Sequence, residues 1–240
     1  MEKKVIVKTG GVLHITDSSV TAKRLKEQGE AVLVFLHAGN RDEDFHFCRY
    51  ACEDMKEPDE EYLDKVYRRE KGLPMDILET ERCLVRETTV ADVDAFYEIY
   101  KEPAITRYME PLYEEVDEER AYARDYIEKA YAFYDFGIWT VVEKTSGEVI
   151  GRAGICYREG YEDPELGFMI GVPWQGRGLA TEVCRAVLAY AETELGFTRV
   201  LAFVQPDNMA SRRVCRKLGM HKETRVCVQG QDYALYVWET

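Results

Sequence analysis

The chain has 240 residues, enough for one large domain or two small ones, and its hydrophobic share of 46% is ordinary for a globular protein. Its formal net charge of −13 argues against a nucleic-acid partner and would attract cationic amines, although an acidic surface can also serve solubility alone. With no run of about twenty apolar residues, no apparent secretory signal and seven scattered cysteines, we expect a cytoplasmic protein without membrane spans or a disulfide framework.

Residues 1–80 predict a small α/β domain of unknown role. The runs "VLHIT" and "AVLVFLH" predict strands on either side of the helix "SVTAKRLKEQG", which together form a βαβ unit. The short piece "CRYACED" follows, and then the acidic helix "PDEEYLDKVYRREKG", with Pro58 near its first turn and Gly72 beyond its end. The stretch "LPMDILETE" predicts the linker to the second domain.

Two chemical readings of this first domain are weak. Asp17 follows a strand and precedes a helix, as a nucleophilic aspartate does in haloacid-dehalogenase-type phosphatases, but Asp-x-Asp is missing and "TDSSVTAK" favours helix capping. No defensible zinc spacing connects His37, His46, Cys48 and Cys52, so we expect no metal. The stretch "LHAGNRDEDF" follows a strand, where open α/β sheets bind ligands, and we interpret the domain as a recognition or docking module.

From residue 81 to 240 the alternation of strands and helices predicts a second, mixed α/β domain. The elements in chain order are the strand "RCLVRET", a helix from Thr89 that stops before Pro103, the longer helix "DEERAYARDYIEKAYAFYDFG", a hairpin turning at Ser146-Gly147, the strand "ELGFMIGV", the helix after "WQGRG", the strand "RVLAFVQ", the helix "NMASRRVCRKLG" and a final hairpin, "RVCVQGQDYALYVWE".

The stretch "WQGRGLATEV" places two glycines between a strand and a helix. A helix N-terminus attracts anions, and Gly176 and Gly178 carry no Cβ atom that would shield its N–H groups, while Arg177 adds a charge. This context predicts a phosphate cradle, with a plain glycine turn as the alternative. The lysine of a Walker P-loop is absent, and Thr181 stands where the dinucleotide fingerprint requires Gly or Ala.

A third kind of phosphate site fits the same residues. Gln175-Gly-Arg-Gly178-Leu-Ala180 resembles the Gln/Arg-x-x-Gly-x-Gly/Ala signature of the GNAT superfamily of N-acetyltransferases, and "DNMASRRVCRKLGM" resembles its second signature, with Met220 where Phe is usual. The order of elements from Arg82 to Thr240 is also similar to the family, so the resemblance covers about two thirds of the chain. The segments "RCLVRETTVADVDAFYEIYKEP" and "PELGFMI" look most like the branch of the ribosomal-protein N-terminal acetyltransferases.

The resemblance implies an acetyl-CoA site in a GNAT-like α/β fold. The pyrophosphate would bind the backbone N–H groups of Gln175, Gly176, Arg177, Gly178, Leu179, Ala180 and Thr181. The strand "ELGFMIGV" would part from "RVLAFVQ" at a bulge, and the Ile170 N–H, flanked by Met169 and Gly171, would face the acetyl carbonyl. Asn208 would bind the pantetheine arm, although Asn before a helix is also a good cap.

The resemblance also suggests catalytic residues. The family's frequent acid, a tyrosine seven residues after the Asn, is replaced by Cys215, so Ser211 becomes the candidate acid, with a simple helix-start serine as the alternative. Glu165 is the candidate base, and the alternative is a solvated charge in the loop "REGYEDPE"; sequence cannot separate Glu162 and Asp163 from it.

The acceptor pocket of the family borders the second helix of this domain. Its tyrosines could line that pocket or, more simply, pack in the core: Tyr122, Tyr126, Tyr131 and Tyr134. The nearby Glu118 and Glu119 are compatible with a cationic or N-terminal amine.

We therefore expect an N-acetyltransferase that moves an acetyl group from acetyl-CoA to a primary amine of a small molecule or peptide N-terminus by direct attack. Its partners would be acetyl-CoA and the amine, with no nucleic acid or membrane, and it would be a monomer or homodimer. The alternatives are a non-catalytic acyl-CoA-binding regulator, and a protein whose main activity lies in residues 1–80.

Overall fold

A computed structural model describes residues 1–240, which divide into two units. In the first unit, Met1–Met75, two largely apolar runs of five residues form the central strands of a four-stranded sheet. The sheet has the order β1-β2-β3-β4. Its strands are β1 Glu2–Ile6, β2 Val12–Thr16, β3 Ala31–Phe35 and β4 Ala51–Cys52. β2, β3 and β4 are parallel, which confirms the βαβ prediction, whereas the antiparallel edge strand β1 was missed because "EKKVI" carries charges that mask its pattern.

The two helices of this unit, α1 Ser19–Glu27 and α2 Glu60–Lys71, begin at side-chain caps. The Ser18 side chain accepts from the Thr21 N–H, and the Asp59 side chain accepts from the Tyr62 N–H at 2.7 Å. These contacts support the capping interpretation of "TDSSVTAK". Asp17 itself hydrogen-bonds the N-terminal amine and lies 3.4 Å from the His37 ring.

The second unit, Asp76–Thr240, contains an eight-stranded mixed sheet in the order β11-β12-β10-β9-β8-β7-β6-β5. Its strands are β5 Asp76–Glu79, β6 Cys83–Arg86, β7 Ile138–Glu143, β8 Val149–Cys156, β9 Glu165–Ile170, β10 Arg199–Val204, β11 His221–Val228 and β12 Gln231–Glu239. The predicted linker was wrong over Asp76–Glu79, which pairs antiparallel with β6. Such a short edge strand depends on hydrogen bonds from its neighbour and has little signal of its own.

The helices of the second unit are α3 Val93–Tyr100, α4 Pro103–Thr106, α5 Val116–Tyr126, α6 Ala132–Tyr134, α7 Leu179–Thr193 and α8 Met209–Lys217. The predicted longer helix is interrupted by a π-helical segment, Ile127–Tyr131. Within it Tyr131 is fully buried, and its hydroxyl donates to the Ile138 carbonyl at 2.6 Å. The break turns this side chain into the core, which the helical spacing of the tyrosines did not reveal.

The main core lies where α7 packs on the sheet. Val183, Val187 and Ala191 of α7 are fully buried with Trp139 and Ile150 of the strands. None of the helices is both long and apolar enough to cross a membrane.

Candidate active site

The sheet of the second unit opens between β9 and β10. β9 pairs with β8 residue by residue, from Cys156–Glu165 to Gly151–Ile170, but it pairs with β10 only where Leu201 meets Glu165. Beyond that bridge the two parallel strands diverge, because β10 follows its antiparallel partner β12. The predicted parting of these strands is confirmed. On its other edge β9 keeps an unbroken register with β8, so the pairing with β8 shows no bulge.

Backbone groups of Ile170 point into this opening. The Gly171 N–H donates to the Ile150 carbonyl at 2.8 Å, and alternation along an antiparallel ladder turns the groups of the preceding residue away from β8. The Gln175 side-chain amide donates to the Ile170 carbonyl at 2.8 Å. The Ile170 N–H therefore lies at the open edge of β9, beside Met169.

Helix α7 begins at the same opening, without a side-chain cap. Gly176 and Gly178 have φ values of 74° and 84°, a region that disfavours other residues. Along residues 176–181 no backbone N–H has an acceptor within the protein. The Gln175 N–H does not belong to this predicted set, because it donates to the Val172 carbonyl at 3.1 Å.

The side chain of Arg177 stacks on a neighbouring ring, and the second charge predicted for it at the phosphate site stays a prediction. Its guanidinium lies over the Trp174 ring, 4.8 Å from the centroid, and its carbonyl accepts from Arg82 at 3.0 Å. This stacking holds the Arg177 side chain away from the lining of the cavity at α7.

A cavity of about 450 Å³, the helix cavity, lies at the start of α7. The predicted residues that line it are Met169, Ile170, Gln175, Gly176, Gly178, Leu179, Ala180, Thr181, Asn208 and Ser211. Arg213 and Lys217 of α8 also line it, and neither makes a salt bridge. Sequence reasoning missed these two cations, although their i,i+4 spacing puts them on one face of α8.

A second cavity of about 530 Å³, the tyrosine cavity, lies along β9. Its charged lining residues are Glu110, Glu119, Arg152, Arg158 and Glu165, and its tyrosines are Tyr100, Tyr108, Tyr113, Tyr122, Tyr126 and Tyr233. The two cavities share the walls Tyr108, Met109, Phe168, Met169, Asn208 and Ser211. They therefore meet at the opening between β9 and β10.

Of the four tyrosines predicted either to line the acceptor pocket or to pack in the core, some do each. Tyr122 and Tyr126 line the tyrosine cavity, Tyr131 belongs to the core, and Tyr134 is 46% exposed. The Tyr126 hydroxyl accepts from the Ile138 N–H at 2.8 Å, and burial raises the pKa of Tyr126 to about 12. Of the two glutamates beside them, only Glu119 lines the cavity.

Glu165 is a buried carboxylate of the tyrosine cavity, with 8% of its surface exposed. Burial raises the pKa of the Glu165 carboxyl, and Arg158, which donates to both of its oxygens at 2.6 and 3.1 Å, opposes that rise. The alternative of a solvated loop charge is therefore wrong for Glu165. Asp163 pairs with Arg199 at 3.0 Å, and neither it nor Glu162 lines the cavity.

The start of α8 gives Asn208 a capping role and leaves Ser211 accessible to both cavities. Asn208 Oδ1 accepts from the Ser211 N–H at 3.0 Å, whereas the Asn208 NH2 group and the Ser211 hydroxyl make no hydrogen bond within the protein. Cys215 is fully buried, and burial raises the pKa of its thiol to about 12. It lines neither cavity.

These residues fit a coenzyme A thioester. A diphosphate needs hydrogen-bond donors and positive charge, which the free N–H groups of residues 176–181 and the side chains of Arg213 and Lys217 supply. The chain thus has the features expected of an acyl-CoA-dependent acetyltransferase: a mixed sheet opened between two parallel strands, and a glycine-rich helix start at that opening.

The family comparison agrees with this class. The acetyltransferase (GNAT) domain family matches residues 82–221, and the chain belongs to this family. It is an acetyl-CoA-dependent N-acetyltransferase.

Individual relatives support the same assignment, and a solved structure shows a similar fold. The chain is 32% identical to the uncharacterized N-acetyltransferase YoaA of Bacillus subtilis, over 61% of this chain and 84% of YoaA. It is 28% identical to the ribosomal protein uS5-alanine N-acetyltransferase of Escherichia coli, over 63% of this chain and 81% of that enzyme. Its fold is similar to RimL, a ribosomal L7/L12 alpha-N-protein acetyltransferase solved with coenzyme A, with a TM-score of 0.58, 14% identity, and coverage of 69% of this chain and 98% of RimL.

Proposed function

We propose that the chain acetylates a primary amine, on a small molecule or a peptide N-terminus, by direct attack of the amine on acetyl-CoA. The observation that carries this proposal is that two cavities share walls at the opening of the sheet. One contains free backbone donors for a coenzyme, and the other contains a buried carboxylate. An amine and a thioester bound in them would meet without a covalent enzyme intermediate.

Acetyl-CoA would bind in the helix cavity. It supplies the acetyl group as a thioester. The N–H groups of residues 176–181 would bind its diphosphate, assisted by Arg213 and Lys217, and the Asn208 NH2 group would donate to its pantetheine arm. The Ile170 N–H would donate to the acetyl oxygen, where negative charge develops during attack. The coenzyme A bound to RimL, a protein of similar fold, supports this assignment.

Proton transfer would involve Glu165 and Ser211. Glu165 would accept, through bridging water, the proton that the attacking amine nitrogen loses when it bonds to the acetyl carbon, because Glu165 and Ile170 lie at opposite ends of β9. Ser211 would donate a proton to the sulfur when the carbon–sulfur bond breaks and would regain one from solvent. Burial favours such a base, because a carboxylate with a raised pKa holds a proton more strongly than an exposed one. A non-catalytic acyl-CoA-binding role is not favoured, since the relatives are acetyltransferases and Glu165 is present.

Release of free thiol from acetyl-CoA in the presence of an amine panel tests the proposal. We expect Glu165→Gln to lower kcat about a hundredfold or more while coenzyme A binding is retained. Glu192→Gln, at an exposed position of α7, is the matched control. The proposal fails if no amine releases thiol, or if both variants keep the wild-type rate.

The pH dependence of kcat gives a second test of Glu165 as the base. Because burial raises the pKa of Glu165, its carboxylate form is lost already above the ordinary carboxyl value of 4.5 as the pH falls. We therefore expect an acid limb above that value in the wild type and none in Glu165→Gln. An identical limb in both proteins would assign the titration to another group.

We also propose that the first unit, Met1–Met75, forms a separate recognition or docking domain, five residues shorter than the predicted 1–80. The deletion that tests this must end before Asp76, because β5 belongs to the sheet of the catalytic unit. A shortened chain that folds and acetylates small amines, but loses a larger acceptor, would support the proposal. Unchanged acetylation of every acceptor would contradict it.

A further inference from the structure

Arg152 projects from the middle of the sheet into the wall of the tyrosine cavity. On β8 it lies directly opposite Met169 of β9, so the two side chains share a face of the sheet. Gly167 and Glu165 lie on the same face, two and four residues back along β9. Met169 precedes Ile170, whose N–H faces the opening, so Arg152 flanks the place where amine and thioester would meet.

The charge of Arg152 is not neutralised within the protein. Arg152 makes no salt bridge, and its buried Nε has no hydrogen-bond partner; its polar neighbour is the neutral side chain of Tyr100, which supplies no negative charge. Its guanidinium stacks on Phe96, 4.8 Å from the ring centroid. Other partly buried arginines of this unit differ: on the strands Arg86 pairs with Asp92 at 2.7 Å and Arg199 pairs with Asp163 at 3.0 Å, and beyond the end of β8 Arg158 pairs with Glu165.

The remaining carboxylates of the cavity do not fill this role. Glu119 is 5% exposed and accepts from the Tyr113 N–H at 3.1 Å, and it makes no salt bridge. Glu110 is exposed on the cavity rim. A partly buried arginine without an anionic partner is unfavourable unless a ligand supplies the anion.

We propose that Arg152 binds a carboxylate of the acceptor, so that the enzyme selects amines whose molecule also carries a carboxylate. A planar guanidinium matches the two oxygens of a carboxylate better than it matches a neutral amide. The glutamates that line the cavity attract the positively charged amine, and Arg152 favours acceptors that also carry a carboxylate. This inference rests on the proposed function and names its substrate class. The carboxylate can belong to a free amino acid or to an acidic residue near a peptide N-terminus.

Two matched acceptor pairs distinguish these sources. Alanine and alaninamide differ only at the α-carboxylate, and the C-terminally amidated peptides Ala-Asp-Ala and Ala-Asn-Ala differ only at a side chain. We expect kcat/KM for the acid to exceed that for the amide about tenfold or more in at least one pair, since hydrogen bonds to charged groups are the stronger ones. The pair that shows the preference identifies the source.

Variants of Arg152 connect the preference to this side chain. In Arg152→Met we expect the acid-to-amide ratio to fall to about one, through a higher KM for the acid with little change for the amide. Arg152→Lys keeps the positive charge but loses the planar guanidinium that can donate two hydrogen bonds to one carboxylate, so its acid-to-amide ratio should be intermediate. Arg124→Met, at an exposed arginine of α5, should keep the wild-type ratio. If Arg152→Met does not fold, the ratios of the wild type and Arg152→Lys decide the question.

The outcomes separate this inference from the proposed function. Equal rates for acid and amide in both pairs, or an unchanged ratio in Arg152→Met, overturn the role of Arg152 while leaving an amine acetyltransferase. If no acceptor releases thiol, the proposed function is overturned. Calorimetry with the same four compounds and the coenzyme A-loaded protein then decides the inference: tighter binding of an acid than of its amide supports it, and equal or absent binding refutes it.

Discussion

The helix N-termini of the two units are built differently. In the N-terminal unit, α1 and α2 begin at Ser18 and Asp59, whose side chains accept the first free N–H groups. In the C-terminal unit, α7 begins at Gly178 and has no side-chain cap. A side-chain cap accepts hydrogen bonds from the unpaired N–H groups of the first helical turn. Without a cap, these N–H groups and the positive end of the helix macrodipole remain available to bind an anionic ligand. Helices α3, α4 and α5 also lack a side-chain cap, but α7 is the one that combines an uncapped start with two glycines at the opening of the sheet.

Helix α8 combines both designs. Asn208 Oδ1 caps the helix through the Ser211 N–H, while the NH2 group of the same side chain makes no hydrogen bond. The two readings of this residue, a cap and a coenzyme contact, are therefore compatible, since each uses a different atom.

The largest effect is expected when α7 is given a cap of its own. In Gly178→Asp the new carboxylate competes with the diphosphate for the same N–H groups, so we expect the Kd for coenzyme A to rise about a hundredfold in titration calorimetry. Gly29→Asp in the other unit is the matched control, because Gly29 has φ 74° and a side chain at that position would meet only open space. Equal affinity in the two variants would mean that the start of α7 does not bind the coenzyme.

A smaller effect is expected when the two functions of Asn208 are separated. Asp caps a helix as well as Asn does but cannot donate, so Asn208→Asp should retain the unfolding free energy and lower acetyl-CoA affinity about tenfold. Asn208→Ala should lose the affinity and about 1 kcal/mol of stability as well. Denaturant unfolding and calorimetry measure the two quantities separately. Full affinity in Asn208→Asp would limit this residue to capping.

The cations of α8 should contribute less, because exposed charges are screened by solvent and salt. For Arg213→Gln and Lys217→Gln we expect the Kd for coenzyme A to rise about threefold to tenfold each at low salt, and by less as the ionic strength is raised. Arg177→Gln is the control, since that side chain lies over Trp174. If Arg177→Gln has the larger effect, the cations have been assigned to the wrong helix.

The smallest effect on coenzyme binding is expected from the N-terminal unit. Ser18→Ala removes a cap and should cost about 1 kcal/mol of the stability of that unit without changing the Kd for coenzyme A. Unfolding followed by circular dichroism, together with calorimetry, tests both statements. A marked loss of affinity would couple the first unit to the coenzyme site.

The sequence predicted well what depends on local pattern. The spacing of Gly176 and Gly178 before an amphipathic segment was sufficient to locate the helix start. Glycine is the residue that most readily adopts positive φ, and it has no side chain that could cap the helix, so both features follow from the local sequence. The order of strands and helices from Arg82 onward followed from periodicity and turn residues in the same way.

Features that depend on distant residues could not be predicted. The burial of Glu165 requires Arg158 and the neighbouring strands. The lack of a carboxylate partner for Arg152 becomes visible only once the residues around it are known. Tyr131 left the predicted stripe because a π-helical segment changes its direction. These properties depend on contacts between residues that are far apart in the sequence, so the residues next to each position do not reveal them.

A crystal structure of the protein with coenzyme A tests the central claim most directly. We expect diphosphate oxygens within hydrogen-bond distance of the N–H groups of residues 176–181, with the pantetheine arm between β9 and β10. A diphosphate bound elsewhere, with those amides still facing solvent, would contradict it.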